Sequence, residues 1–202
     1  MIERLAALAG RDVSRETFER LQRYAAMLVR ANEHQNLISA DSVAALWGRH
    51  LLDGAQLLSL ANRSGRWADI GSGAGLPGLV IAILSGERMT LIEPRRLRAE
   101  FLRSVVQNLG LIDVDVTAAK ASKATGSFDL ITARAVGKID QLFTMTHHLS
   151  SPGTRWILPK GESAKSELDD ARRNWQGSFQ LVPSQTHPAA AIVVADGVRP
   201  KR

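Results

Sequence analysis

The strongest constraint on this chain is one glycine-rich run, Trp67-Ala-Asp-Ile-Gly-Ser-Gly-Ala-Gly-Leu-Pro-Gly78. A short apolar segment leads into it, and Gly71, Gly73 and Gly75 follow at alternate positions before a second apolar segment begins. A strand that enters a helix through such a turn brings bare backbone close to a ligand, and the free N–H groups at the helix start face that ligand. The run therefore predicts a cofactor-binding loop between a strand and a helix.

Two cofactors compete for this loop. Gly73-x-Gly75-x-x-Gly78 matches the dinucleotide fingerprint, and Glu93 lies where a ribose-binding acid is expected, so a nicotinamide-dependent oxidoreductase is one alternative. The longer pattern, with Asp69 before the first glycine, resembles motif I of the S-adenosylmethionine-dependent methyltransferases. A carboxylate suits the cationic methionine half of S-adenosylmethionine and would repel a pyrophosphate. The acid therefore favours the methyl donor, as does the position of the single tyrosine, Tyr24, far from the loop in sequence, which leaves an oxidoreductase without a Tyr-Lys pair.

Composition sets limits on the class of protein. A chain of 202 residues fits a single domain, and no apolar stretch is long enough to cross a membrane. The absence of cysteine excludes disulfides and thiolate metal sites, and we expect a cytoplasmic protein that holds no metal. The net charge of +6 favours a polyanionic partner, which leaves a non-catalytic basic RNA-binding module as a second alternative.

Hydrophobic periodicity changes near residue 66. Residues 14–62 are predicted to be helical, with Ser14 and Thr17 near the start and a break after Asn36. Later helices are predicted at 77–84, 95–109, 138–149 and 163–176, and strands at 66–70, 89–93, 114–118, 129–133, 154–158, 179–183 and 190–195. This alternation predicts an α/β fold, a mostly parallel seven-stranded sheet with helices on both faces. We expect one domain, 1–202, with a helical extension at 1–64 and a Rossmann-like cofactor-binding core at 65–202.

Several motifs occur in a specific order along nearly the whole chain. They are Asn36-Leu-Ile, Arg49-His-Leu-Leu-Asp53, the glycine-rich run, Arg134-Ala and Leu158-Pro-Lys-Gly161. This set resembles the glucose-inhibited division protein B family, which are small-subunit ribosomal RNA methyltransferases with a class I methyltransferase fold. The resemblance implies S-adenosylmethionine as cofactor and methylation of guanine N7 at one position of 16S rRNA. It also implies 16S rRNA or the small ribosomal subunit as partner of a protein that we expect to be monomeric and to bind no membrane.

The resemblance and the charge argument together nominate the site. Cofactor contacts are expected at Asp69, Gly71, Gly73, Gly75, Leu76, Glu93, Ala121, Ser122 and Arg134. Substrate contacts are expected at Arg49, His50, Arg95, Arg96, Arg98 and Lys160. The arginines at 95, 96 and 98 are expected to point away from the glycine-rich loop, and Leu97 to join the buried side of their helix. No general base is nominated, because guanine N7 carries an available lone pair. The chain departs from the family pattern at Ile38, Gly54 and Glu93, where Thr, Ser and Asp are the commoner residues.

Overall fold

The N-terminal part of the chain is helical, as predicted, but is more finely divided. The computed structural model describes residues 1–201. Its helical elements here are α1 (Ile2–Ala9), α2 (Arg15–Gln35), α3 (Ala40–Ala44), a π-helical turn (Trp47–Leu52) and α4 (Asp53–Ser59). The Oγ of Ser14 accepts a hydrogen bond from the N–H of Thr17 at 3.1 Å, which caps α2. The prediction missed α1, although its apolar residues at positions 2, 5, 8 and 9 follow helical spacing.

The rest of the chain forms one seven-stranded sheet. Its strands are β1 (Trp67–Ile70), β2 (Met89–Ile92), β3 (Val114–Thr117), β4 (Leu130–Ala133), β5 (Arg155–Lys160), β6 (Trp175–Pro183) and β7 (Ala191–Pro200). They lie in the order β3-β2-β1-β4-β5-β7-β6; neighbours among the first five are parallel, and β7 is antiparallel to both β5 and β6. The predicted mostly parallel seven-stranded sheet is confirmed.

Strand order fixes where a ligand binds. The connections from β1 run one way to β2 and β3 and the other way to β4 and β5, so the topological switch point lies between β1 and β4. Ile70 of β1 pairs in register with Ile92 of β2 and Ala133 of β4, so these strands end side by side. We call the edge of the sheet where β1–β5 end the carboxyl edge. In open α/β sheets, ligands bind beyond this edge at the switch point.

Helices cover both faces of the sheet and bury its strands. The later helices are α5 (Gly78–Ser85), α6 (Arg96–Leu109), α7 (Ile139–Thr146) and α8 (Ala164–Asn174), with single 3₁₀ turns at Ala121–Lys123 and His147–Leu149. One hydrophobic cluster joins the N-terminal helices to α5 and α6, and a second includes residues of α7 and α8. The helical extension therefore shares a core with the helices that flank the glycine-rich loop.

Two local predictions were wrong. Leu97 is 54% exposed and lies outside the core, since its neighbours Arg96 and Arg98 begin the helix at the carboxyl edge. The polar helix predicted to reach residue 176 ends at Asn174, where β6 begins. The indole N–H of Trp175 donates to Asp140 Oδ1 at 3.0 Å and its ring packs edge-on against Phe143, contacts that fix the end of the helix.

No helix in residues 1–201 combines the length and the apolar character needed to cross a bilayer.

Candidate cofactor and substrate site

The glycine-rich loop joins β1 to α5 at the carboxyl edge, and its glycines serve different purposes. Gly71, Gly73 and Gly75 all have left-handed backbones, with φ of 67°, 57° and 91°. A Cβ at Gly75 would lie 2.3 Å from Leu79 Cδ1, and one at Gly71 would lie 2.7 Å from Val136 Cγ2. At Gly73 the nearest atom would be Nη1 of Arg98, 3.6 Å away. Gly73 is therefore the position where bare backbone faces open space, whereas the other two glycines permit close packing.

Glu93, directly after β2, ties this loop to the start of α6. Its carboxylate oxygens accept hydrogen bonds from the backbone N–H groups of Gly73 and Arg95, each at 2.8 Å, and the residue is 3% exposed. The predicted ribose contact is untested, and each carboxylate oxygen retains a second lone pair for it. The bond to Gly73 gives Glu93 a positioning role that the sequence did not predict.

Asp69 of β1 is wholly buried beneath the loop. Its Oδ2 accepts a hydrogen bond from the N–H of Gly78 at 3.1 Å, and its Oδ1 has no hydrogen-bond partner among residues 1–201. Burial raises the pKa of this carboxyl to about 7, against the opposing effect of the Gly78 N–H. A buried carboxylate oxygen without a donor is costly, so the site favours a ligand that brings a donor or a positive charge.

Tyr24 contacts the glycine-rich loop, contrary to the inference from sequence distance. The hydroxyl of this α2 residue donates to the carbonyl oxygen of Ala74 at 2.9 Å, and its side chain is fully buried. Burial raises the pKa of the phenol above its usual value. A contact between residues 50 positions apart leaves no periodic signal in the sequence, and the only hint is a polar group on the apolar face of α2.

Arg134 follows β4 and connects the sheet to the helical extension. Its Nη1 lies 3.6 Å from Asp53 Oδ2 and donates to the carbonyl oxygen of Arg49 at 3.3 Å. Asp53 Oδ1 in turn accepts from Gln56 Nε2 at 2.8 Å and from Thr186 Oγ1 at 2.7 Å. This network joins α4, β4 and the β6–β7 turn, and Gln56 and Thr186 belong to it although the sequence did not indicate them.

The remaining candidate cofactor residues lie at different depths. Leu76 is 5% exposed and packs in the core, and Ala121 is buried at the 3₁₀ turn after β3, where Ser122 is exposed. Contacts from Leu76, Ala121 and Ser122 to a cofactor stay predictions.

The arginines at the start of α6 do not form a single outward face. Arg95 and Arg96 are exposed, and Arg96 pairs with Glu100 at 2.6 Å. Arg98 is half-buried, and its guanidinium lies beside Gly73. The expectation that all three point away from the loop was therefore wrong for Arg98, because its position one turn into the helix returns it to the loop.

The other candidate substrate residues are largely occupied within the protein. The side chain of Lys160 is 9% exposed; its Nζ lies 2.9 Å from Glu167 Oε2 and donates to the carbonyl of Gly137. Both ring nitrogens of His50 are buried without a partner among residues 1–201, and burial with nearby Arg134 and Arg49 lowers its pKa to about 4. Of this group only Arg49 is exposed to solvent.

Comparison with known proteins places this geometry in a family. The family model for GidB, rRNA small subunit methyltransferase G, matches residues 17–190. The chain is 44% identical to the ribosomal RNA small subunit methyltransferase G of Rhizorhabdus wittichii, over 98% of this chain and 94% of that protein. It is 41% identical to the protein of the same name from Zymomonas mobilis, over 94% of this chain and 90% of that protein.

Solved structures with low sequence identity share the fold. The glycopeptide N-methyltransferase MtfA complexed with (S)-adenosyl-L-methionine matches with a TM-score of 0.59 and 10% identity, over 71% of this chain and 93% of that chain. A precorrin methyltransferase of Geobacter metallireducens matches with a TM-score of 0.51 and 15% identity, over 80% of this chain and 90% of that chain. The fold is that of the class I methyltransferases, as predicted, and the family resemblance of the ordered motifs is confirmed. The chain belongs to the GidB family, the rRNA small subunit methyltransferases G.

Proposed function

We propose that this protein transfers a methyl group from S-adenosylmethionine to N7 of a guanine in 16S rRNA. The observation that carries the proposal is the carboxyl edge itself, where the open backbone at Gly73 lies beside the carboxylate of Glu93 and above the unpartnered oxygen of Asp69. Membership of a family of rRNA methyltransferases decides between this function and the nicotinamide-dependent or non-catalytic alternatives.

The residues present fit S-adenosylmethionine. The unpartnered Oδ1 of Asp69 suits a ligand that carries an ammonium and a sulfonium, whereas a pyrophosphate would place negative charge near a buried acid. The carboxylate of Glu93 has acceptor capacity for ribose hydroxyls, and Gly73 lets the backbone approach them. When bound, the cofactor supplies an electrophilic methyl group. We place Ala121 and Ser122 beside the adenine on the strength of the family resemblance.

The chain contributes alignment rather than proton transfer. Guanine N7 has an in-plane lone pair, so no residue has to remove a proton before the methyl group is accepted. Holding two reactants in line can supply about 7–11 kcal/mol of the barrier reduction. The rigid parts of the site suit this task, because Asp53 fixes Arg134 while Glu93 fixes the glycine-rich loop.

Contact with rRNA is mainly electrostatic in this proposal. The chain carries a net charge of +6, and Arg49, Arg95 and Arg96 are exposed. Arginine side chains form strong bidentate contacts with phosphate. We propose that the protein acts as a monomer in the cytoplasm, where ribosomal subunits are found.

Methyl transfer to isolated substrate tests the function. Small ribosomal subunits and naked 16S rRNA, both from cells that lack the protein, are incubated with purified protein and methyl-labelled S-adenosylmethionine. Reduction followed by aniline cleavage and primer extension then maps 7-methylguanine. We expect label at one guanine of one of these substrates. Label on another atom or base, or no label on either substrate, would contradict the proposal, and calorimetric binding of NAD in place of S-adenosylmethionine would favour the oxidoreductase alternative.

A further inference from the structure

A cavity of about 320 Å³ opens at the carboxyl edge beside the cofactor loop. We propose that it receives the target guanine and that Asp53 Oδ2 reads the Watson–Crick edge of that base. This inference rests on the proposed function and adds to it a binding site and a residue that determines base specificity. Enzymes that modify a base hold it in a pocket outside the stack and recognise it by hydrogen bonds to its edge.

The cavity has the position that an acceptor site requires. One wall is the segment after β4, with Arg134, Ala135 and Gly137, and the opposite wall comes from the end of β5 and the start of β7. Val136 of the same segment packs against Gly71, 2.7 Å from the position of its Cβ. The pocket and the cofactor loop therefore share a wall. Its volume is at the lower end of the range for small-molecule pockets, about 300–1,000 Å³, and suits a single heterocyclic base.

Two carboxylates line the cavity, and only one has acceptor capacity to spare. Glu167 accepts hydrogen bonds from Ser163 Oγ at 2.7 Å and from the N–H of Ile139 at 3.2 Å, and it pairs with Lys160 at 2.9 Å. These contacts occupy both of its oxygens.

Asp53 is arranged differently. Its Oδ1 accepts from Gln56 and Thr186, which fixes the plane of the carboxylate. Its Oδ2 faces Arg134 Nη1 at 3.6 Å, which is too long for a hydrogen bond. A ligand donor can therefore bind at Oδ2 without displacing an existing hydrogen bond. Arg134 also has guanidinium N–H groups in excess of its single bond to the carbonyl of Arg49.

The chemistry of these two side chains matches guanine. The Watson–Crick edge of guanine carries the N1–H and N2–H₂ donors, which suit the carboxylate of Asp53, and its O6 is an acceptor that suits Arg134. N7 then stays free of either contact and available to the methyl group. Adenine presents an unprotonated N1 at the same place, and its lone pair would face the carboxylate. A pocket built to hydrogen-bond a substrate N–H rejects analogues that lack that group.

The first test uses the wild-type protein and a modified substrate. The 16S rRNA is assembled with guanine or 2-aminopurine at the target position, and initial rates of methyl transfer are compared. 2-Aminopurine keeps N7 but lacks both N1–H and O6, so we expect its rate to fall by about tenfold or more. Equal rates for the two bases would overturn the inference. A wild-type protein that fails to methylate guanine would instead contradict the proposed function.

The second test exchanges the hydrogen-bonding pattern of the reader. Asp53→Asn offers a carbonyl and an amide N–H₂, a pattern that complements adenine, so the ratio of kcat/KM for adenine to that for guanine should rise about tenfold or more. Thr186→Val is the matched control, because it removes one hydrogen bond to Asp53 Oδ1 but leaves the carboxylate in place. It should lower the rate on guanine without changing the ratio. An unchanged ratio in folded Asp53→Asn protein would reduce Asp53 to a support for Arg134, and if that variant fails to fold, the 2-aminopurine comparison decides alone.

Discussion

The hydrogen bond from Tyr24 to the glycine-rich loop offers the sharpest test of how the helical extension supports the cofactor site. Tyr24→Phe keeps the ring and removes only the hydroxyl, which donates to the carbonyl oxygen of Ala74 at 2.9 Å. Both residues are buried, at 0% and 4% exposure, so water cannot replace the donor without a local opening. A buried acceptor left without its donor costs about 1–3 kcal/mol. We expect the free energy of unfolding, measured by urea titration, to fall by this amount.

The substitution should also affect the cofactor. Ala74 lies between Gly73, which faces the open side of the loop, and Gly75, which packs against Leu79. A loop without this anchor samples other positions, and a binding penalty of about 1.4 kcal/mol would weaken S-adenosylmethionine tenfold. We expect calorimetry to show a Kd raised by roughly three- to tenfold.

Thr154→Val is the matched control for this experiment. Thr154 is 1% exposed, and its hydroxyl donates to the carbonyl of Phe128 at 2.6 Å just before β5, at the edge of the sheet opposite the cofactor loop. Removal of this hydroxyl should destabilise the protein to a similar extent and leave the affinity for S-adenosylmethionine unchanged. If Tyr24→Phe behaves in the same way as this control, the reasoning that links α2 to the cofactor loop is refuted.

Three further perturbations follow from the site. Gly75→Ala should lower the free energy of unfolding by about 2–5 kcal/mol, since its Cβ would lie 2.3 Å from Leu79, whereas Gly73→Ala should cost about 1–2 kcal/mol and act mainly on the Kd for S-adenosylmethionine; equal effects on stability would contradict the different roles of the two glycines. Asp69→Asn should remove a fall in stability between about pH 4 and pH 7, because a carboxyl whose pKa is raised to about 7 favours the folded state below the pKa of the unfolded chain and loses that contribution as pH rises; urea titrations at several pH values measure it, and parallel curves for both proteins would contradict it. Arg95→Glu with Arg96→Glu should weaken rRNA binding and reduce its salt dependence by about 0.7–0.9 log unit for each phosphate that the protein no longer neutralises, whereas Arg98→Glu should also change cofactor affinity; filter binding across a salt series separates the two effects.

Much of the fold was predictable because it is encoded in local patterns. The turn from β1 to α5 has its glycines at fixed positions, and each later strand is a short apolar segment next to an amphipathic helix. The order of the strands also follows from these units, since parallel neighbours need crossover helices. Glu93 was placed at the correct edge for the same reason, because it directly follows a strand.

The contacts that organise the site were not predictable in this way. Tyr24 meets the glycine-rich loop, and Asp53 meets Thr186, over separations of 50 and 133 residues along the chain. Such contacts depend on how whole elements pack, and neither helical nor strand periodicity records them. Arg98 illustrates the same limit at short range. Its neighbours Arg95 and Arg96 are exposed, but the helical turn returns Arg98 toward Gly73, so the charge run could not be treated as one surface.

Arg134 acts on two buried titratable groups at the carboxyl edge. Its positive charge helps to lower the pKa of His50 to about 4, after the larger effect of burial, and it opposes the burial that raises the pKa of Asp69 to about 7. The two shifts act on stability in opposite directions. His50 loses its contribution as pH falls from about 6.5 toward 4, because the unfolded chain then binds a proton that the folded chain does not, while Asp69 loses its contribution as pH rises over much of the same range. The opposing effects make the wild-type protein less sensitive to pH than either group alone. A bound cation next to Asp69 would favour the carboxylate, so binding of S-adenosylmethionine near neutral pH should release a proton from that residue, and the cofactor site and the stability of the fold are thereby linked through one buried acid.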